Sequence, residues 1–590
     1  MRPPRLSALG LAALAGLTLA ALPVIGQQAE APRSLLPDAL ETPPAPPAAT
    51  ETAPVAATTP EAQAETGTSE TTEPVDPNEP IAVTPSAFDL PPATGAAVDV
   101  AGPLTPAMGG YGMAAFTGSN GRFVAGLMHR IDAPLASRWA HIVLRRALMS
   151  QSAAPTGIAP ADWIGWRAAL LLRMGEADGA VAMVDAVPVD RYTPLLYKVA
   201  GQAHLAAADI AGLCPLAPNG ISVSQDPLWR LAAGMCGGMS GDDLTAASTF
   251  DRLRNADSVE QFDLQLAERI STLSGGGGRA ANVEWDLAPA LTPYRFGVAV
   301  AAGVRVPDAR LSGLGTAQSG WVLRAPGVSD AARLAALWPA AALGIASAQE
   351  MVSTISSITA GLEGDELTAS PGANLRTAFA AASVADRFAA LKAIRNAGGD
   401  NPRRRYAGLI ETALPAARLP ASPAHAAEAP AIVAALLSAG MTEQALRWWP
   451  VVQDADDKVK AKTWALLVAT GAVPVTTELF ETWRKADASD HRARLLLAAL
   501  DALGRTRGGD WAGIREDLRL VPLVNVWTRA LAAAAASGRS GEVAVLAATG
   551  LQCDWRAVPP SHFGSIVAAY ARVGRGHEAA LIAAEAVTRG

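Results

Sequence analysis

The sequence predicts an all-α body, an irregular α-solenoid of antiparallel helical hairpins, preceded by a disordered N-terminal segment. Three observations carry that expectation. The chain is 50% hydrophobic but only 5% aromatic, with alanine and leucine supplying most of the apolar character. Alanine loses no side-chain entropy in a helix, so this composition favours helices over strands. Beyond residue 118, apolar residues recur at helical spacing and turn formers interrupt them about every 12–20 positions. A glycine-centred turn of one pattern recurs along the body, and no run alternates like an exposed sheet strand for more than a few residues.

Residues 1–26, MRPPRLSALGLAALAGLTLAALPVIG, have the three parts of a secretory signal: Arg2 and Arg5, an uncharged apolar run from Leu6 to Leu22, and the break at Pro23. Leu6 to Gly26 is also long enough to cross a bilayer, so a cleaved signal and a retained inner-membrane anchor both stay open. No cysteine follows the run, which rules out a lipoprotein anchor. Either way the arginines stay inside and the body is placed in the periplasm.

Residues 27–118 read as a disordered acidic tether rich in Pro, Ala, Thr and Glu. The stretch 43–80 has no aromatic residue and no period, and so cannot bury enough apolar area to offset the entropy of ordering. The net charge of −7 is concentrated there. Residues 27–121 hold twelve acids against Arg33, whereas residues 122–590 hold 45 bases and 43 acids. A body this close to neutral lacks the basic excess of a nucleic-acid binder. The bases are almost all arginine, a skew read as codon composition rather than as a surface.

The body divides into an N-terminal helical-hairpin lobe at 119–274, a Gly/Pro-rich irregular or hinge region at 275–330, and a C-terminal lobe at 331–590. Trp139 to Met149 places Trp139, Ile142, Val143, Leu144 and Leu148 on one stripe. Asp162 to Met174 opens on an N-cap candidate and closes on Gly175. In the middle region, Gly275 to Gly278 is a flexible loop, and Val298–Val304 and Trp321–Leu323 are short apolar runs among Pro293, Pro307 and Pro326. A hinge and a small non-helical insertion both fit.

The recurring turn is a helix end, a glycine, four residues, then a small residue opening the next helix. It occurs at Gly175 with Ala180, Gly440 with Ala445, Gly538 with Val543, and Gly574 with Ala579. The pattern resembles the turn of tetratricopeptide-like helical repeats, and the last two copies are 36 residues apart, close to that period. The resemblance covers the turn alone; it implies a helical-hairpin repeat fold and assigns no binding residue.

Cys214 and Cys236 flank a turn-rich stretch at a separation suited to a disulfide clamp on a helical hairpin, in keeping with an oxidising compartment. Cys553 is left as a free, buried thiol. No metal site is expected, because none of the seven histidines sits at ligand spacing, and no cofactor is expected, because phosphate-loop and nucleophile-elbow signatures are missing. Asp454, Asp456 and Asp457 lack the glycine and glutamate of a calcium loop and read as a helix start. Two features point to a partner-binding surface: the adjacent Trp448 and Trp449, which on a helix point about 100° apart, and the basic cluster Arg403, Arg404 and Arg405, a candidate site for an anionic partner.

The expected function is a non-enzymatic periplasmic scaffold for protein–protein interaction in the cell envelope, with other envelope proteins as partners. Two alternatives stand beside it: a structural part of a secretion or motility machine, and a peptidoglycan-metabolising enzyme or its regulator, with Glu268, Glu350 or Glu411 as a general acid.

Overall fold

The recurring glycines each take the left-handed conformation that ends a helix: φ is +85° at Gly175, +79° at Gly440, +69° at Gly538 and +79° at Gly574. Five residues on, Ala180, Ala445, Val543 and Ala579 are fully buried where the next helix closes on the last. Gly175 is needed for a second reason: a Cβ there would meet the Ala317 carbonyl at 2.0 Å.

The computed structural model describes residues 100–273, 283–288, 290–486, 490–552 and 554–590. The signal at 1–26, residues 27–99 of the tether, the Gly275–Gly278 loop and Cys553 lie outside the described residues. Among those described there are 28 α-helices and one two-stranded antiparallel sheet, pairing Val100–Ala101 with Ser152–Ala153. The all-α class is therefore observed. No helix among the described residues is long and apolar enough to cross a membrane.

Many helices start on the caps that their sequences offer. Ser137, Thr193 and Asn401 accept hydrogen bonds from the backbone of the first turn, and Ser347 forms a capping box with Glu350. Neighbouring helices then pair, as Pro160–Arg173 does with Ala177–Val184 and Pro402–Ala417 does with Ala429–Ser438.

The contacts go beyond a row of neighbours. In an open stack, each hairpin touches only the next. Here the helix Arg138–Met149 packs on Ser540–Thr549 and on the last helix, Gly576–Arg589, so the two ends of the body meet. The last helix is also packed by Ala429–Ser438, Asp457–Leu467, Asp490–Ala502 and Pro560–Arg572. It is buried without interruption from Glu578 to Val587, as a helix covered on every side must be.

Buried polar groups fasten this seam. Glu585 of the last helix accepts from Ser137 Oγ (2.7 Å), the Arg138 amide (2.8 Å) and the Trp139 amide (3.1 Å). A carboxylate is thus placed at the N-terminus of Arg138–Met149, where the helix dipole favours it. The Arg138 guanidinium, 4% exposed, donates to the carbonyls of Ser438 (3.2 Å), Ala346 (3.0 Å) and Ala341. Nearby, Glu176 accepts from His141 Nε2 and Arg145 Nη1, both at 2.9 Å, and Glu542 accepts from Ser119 Oγ at 2.6 Å.

Two expected boundaries change. Residues 100–118 belong to the folded body and not to the tether. The Leu104 amide bonds to the Met149 carbonyl (3.0 Å), and Phe116 is fully buried with its ring 4.8 Å from Trp163. The region 275–330 is helical from Pro293 on, with helices Pro293–Ala301, Asp308–Leu311 and Ser319–Arg324. Val298, Val322 and Leu323 are buried in those helices. Pro293 is the first residue of its helix and Pro307 caps the next, positions where proline costs nothing, so residues read as breaks are helix starts.

Cys214 and Cys236 sit at disulfide distance, their Cα atoms 5.5 Å apart across 22 positions. Closing a loop of this size stabilises the fold by about 3 kcal/mol through the unfolded chain.

Candidate functional site

The helix Pro402–Ala417 begins at Asn401, whose side chain accepts from the amides of Arg403 and Arg404. Proline in the first turn fixes the start, and the next three residues fan out around it. Arg403 and Arg405 are exposed and line a cleft of about 1210 Å³. Arg404 points elsewhere: its guanidinium lies 4.2 Å over the Trp338 ring and 3.4 Å from Glu411.

Four more arginines reach the same cleft from distant parts of the chain. Arg395 comes from the helix Val384–Asn396, Arg492 from Asp490–Ala502, Arg556 from the turn Trp555–Ala557, and Arg589 from the last helix. His491 also lines the cleft, and Asp554 is its one carboxylate side chain among the described residues. Asp554 is already used as a cap, accepting from the Arg556 amide at 3.0 Å. The guanidiniums of Arg403, Arg405 and Arg556 have no hydrogen bond or ion pair among the described residues. Arg589 is held by Glu585 (2.7 Å) and lies 4.5 Å over the Tyr406 ring, and Arg395 lies 3.6 Å from Glu428.

Burial, and then the charge of Arg589, holds the Arg403 guanidinium below its ordinary value, and burial does the same to Arg395. Arginines crowded at this density repel one another, and an anion among them relieves that repulsion. Guanidinium is a planar fork of donors that matches carboxylate or phosphate and does not serve as a base near neutral pH. The chemistry on offer is anion recognition.

A second cavity, of about 790 Å³, adjoins this cleft and shares Asn401 and Arg403 with it. Its walls are mainly apolar, from Leu311 and Leu314 through Val322 to Ala331, Ala335 and Trp338.

The tryptophan pair is not a groove. Trp448 is 2% exposed and stands edge-on to Phe388 at 6.5 Å, and Trp449 is half-buried against the core. The α-helix ends at Leu446, just before the pair. The three glutamates considered as acids lie on separate helices, each engaged. Glu268 pairs with Arg254, and Glu350 closes its own capping box and meets Arg324 at 3.3 Å. Glu411 accepts from Trp338 Nε1 at 3.0 Å, and burial holds its carboxyl above the usual range despite Arg404. Asp456 caps the helix Asp457–Leu467. Among the described residues no group of His, Cys, Asp or Glu is arranged to hold a metal.

Of the cleft, sequence reasoning reached Arg403 and Arg405. It missed Arg395, Arg492, Arg556 and Arg589, which no local motif marks. Comparison with protein-family models, curated proteins and solved structures returns no match.

Proposed function

We propose that this chain is a non-enzymatic, tetratricopeptide-like helical-repeat scaffold of the periplasm that docks an acidic segment of an envelope partner. The observation that carries this reading is the convergence of six arginines from five separate segments on one open cleft that, among the described residues, has a single carboxylate side chain. Aspartate and glutamate side chains match Arg403, Arg405 and Arg556, whose guanidiniums have no ion pair among the described residues, and a cleft of about 1210 Å³ is roomy for an extended peptide. The disulfide fits an exported protein, and the signal-like N-terminus gives the route. The enzyme reading draws no comparable support, because Glu268, Glu350 and Glu411 do not converge and none lines the cleft.

Fluorescence anisotropy with a labelled hexaglutamate peptide tests the proposal. The full chain binds it, the affinity falls as salt rises, and the double variant R403E/R405E loses binding at least about ten-fold. Equal binding by the variant would sink it.

A further inference from the structure

We infer that the apolar cavity beside the arginine cleft is the second half of one continuous site, and that its ligand is a peptide segment carrying an apolar anchor directly before its acidic residues. This rests on the cleft reading and extends it. The two spaces meet at Asn401 and Arg403, which line both, so a chain leaving the cavity passes straight into the cleft.

Three features decide the ligand's chemistry. First, exposed Ala331 and Ala335 sit on the cavity wall with Leu311 and Val322 behind, leaving apolar room that a bulky side chain fills. Second, Ser319 lines the cavity at 8% exposure, and its Oγ has no hydrogen-bond partner. A buried hydroxyl left unpaired is costly, and a peptide carbonyl or amide satisfies it, whereas an acyl chain does not. Third, the charges set a direction. Asp308 stands among the lining residues, held by Ser329 Oγ at 2.9 Å, and repels an acidic group there. Arg403 and Arg404 line the cavity's edge, but Arg404 lies over the Trp338 ring and 3.4 Å from Glu411, while the cleft beyond Arg403 adds five further arginines, so the attraction for carboxylates is greater in the cleft. Apolar residues enter the cavity and acidic residues follow into the cleft, in that spatial order.

The test compares two labelled peptides on the full chain, Leu-Phe-hexaglutamate and Ser-Ser-hexaglutamate. Leu-Phe-hexaglutamate binds about ten-fold tighter, the worth of burying its two side chains in part. Ala335→Trp, at an exposed position on the cavity wall, removes that gain and leaves the Ser-Ser peptide unchanged; an unaltered thermal melt confirms its fold. Equal affinity for the two peptides, or a gain that survives Ala335→Trp, overturns this inference while the cleft reading stands. If neither peptide binds, or R403E/R405E binds both as the parent does, the cleft reading fails and this inference falls with it. Capture of phosphatidylglycerol vesicles that Ala335→Trp abolishes, with no preference between the peptides, assigns the cavity to an acyl chain and also overturns it.

Discussion

Arg138 and Arg403 both carry a guanidinium close to the last helix, and the fold handles them in opposite ways. Arg138 is buried, and three backbone carbonyls from two segments take its donors while Glu585 stands at its helix start. Arg403 sits in an open cleft with Arg405 and Arg556, none of them with a side-chain partner among the described residues, and with Arg589 adding repulsion. A buried cation held by three backbone carbonyls is part of the architecture. Arg403, Arg405 and Arg556, exposed in one cleft and without an ion pair among the described residues, add little to packing, so their convergence points outward to a ligand.

The contrast is open to direct attack. The largest effect belongs to Glu585→Ala, which uncaps Arg138–Met149 and leaves Arg138 and Arg589 without their carboxylate. Urea denaturation should show a loss of about 3–5 kcal/mol, or no folded protein. Arg138→Met keeps the apolar stem but abandons three buried carbonyls, for a loss of about 3 kcal/mol in the same measurement.

A smaller effect comes from acid. Burial holds His141 below the ordinary imidazole value of 6.5, outweighing its bond to Glu176. The unfolded chain therefore takes up that proton first. The stability supplied by the neutral ring is present above about pH 6.5 and is lost as pH falls below it. Burial pushes the Glu176 carboxyl up, but the hydrogen bond from His141 and the charges of Arg145 and Arg324 prevail and hold it below its ordinary 4.5. It adds a loss of the same sign below that pH. Stability should fall as pH is lowered from 6.5, and His141→Gln should flatten that slope in thermal melts.

The smallest effect is expected in the cleft. R403E/R405E should move the unfolding free energy by less than about 0.5 kcal/mol while abolishing peptide binding. A large loss of stability there would erase the distinction between the two regions.

The helical class was legible because its signals are local. Gly175, Gly440, Gly538 and Gly574 announce their turns within a few residues, and the small residues that follow are buried as the pattern requires. The closure was not legible, since Ser119 meets Glu542, and Ser137 meets Glu585, across more than 400 positions. A buried glutamate looks like any other in a sequence without such a pairing in view. The cleft was half legible. Arg403 and Arg405 are neighbours, but Arg395, Arg492, Arg556 and Arg589 become neighbours only through the fold. A near-neutral body averaged their charge away. Trp448 misled for a related reason: the 100° offset of neighbouring residues says which way a side chain leaves its own helix, and nothing about which other helices wait there.

The bond between Ser137 and Glu585 also sets an order in time. The two residues are 448 positions apart, and ribosomes add about 5–20 residues per second. Ser137 is therefore made tens of seconds before its partner exists, and the first helices must wait, with their inner faces uncovered, for the final helix to be born. Until then the polypeptide lacks the helix that closes its two ends on each other.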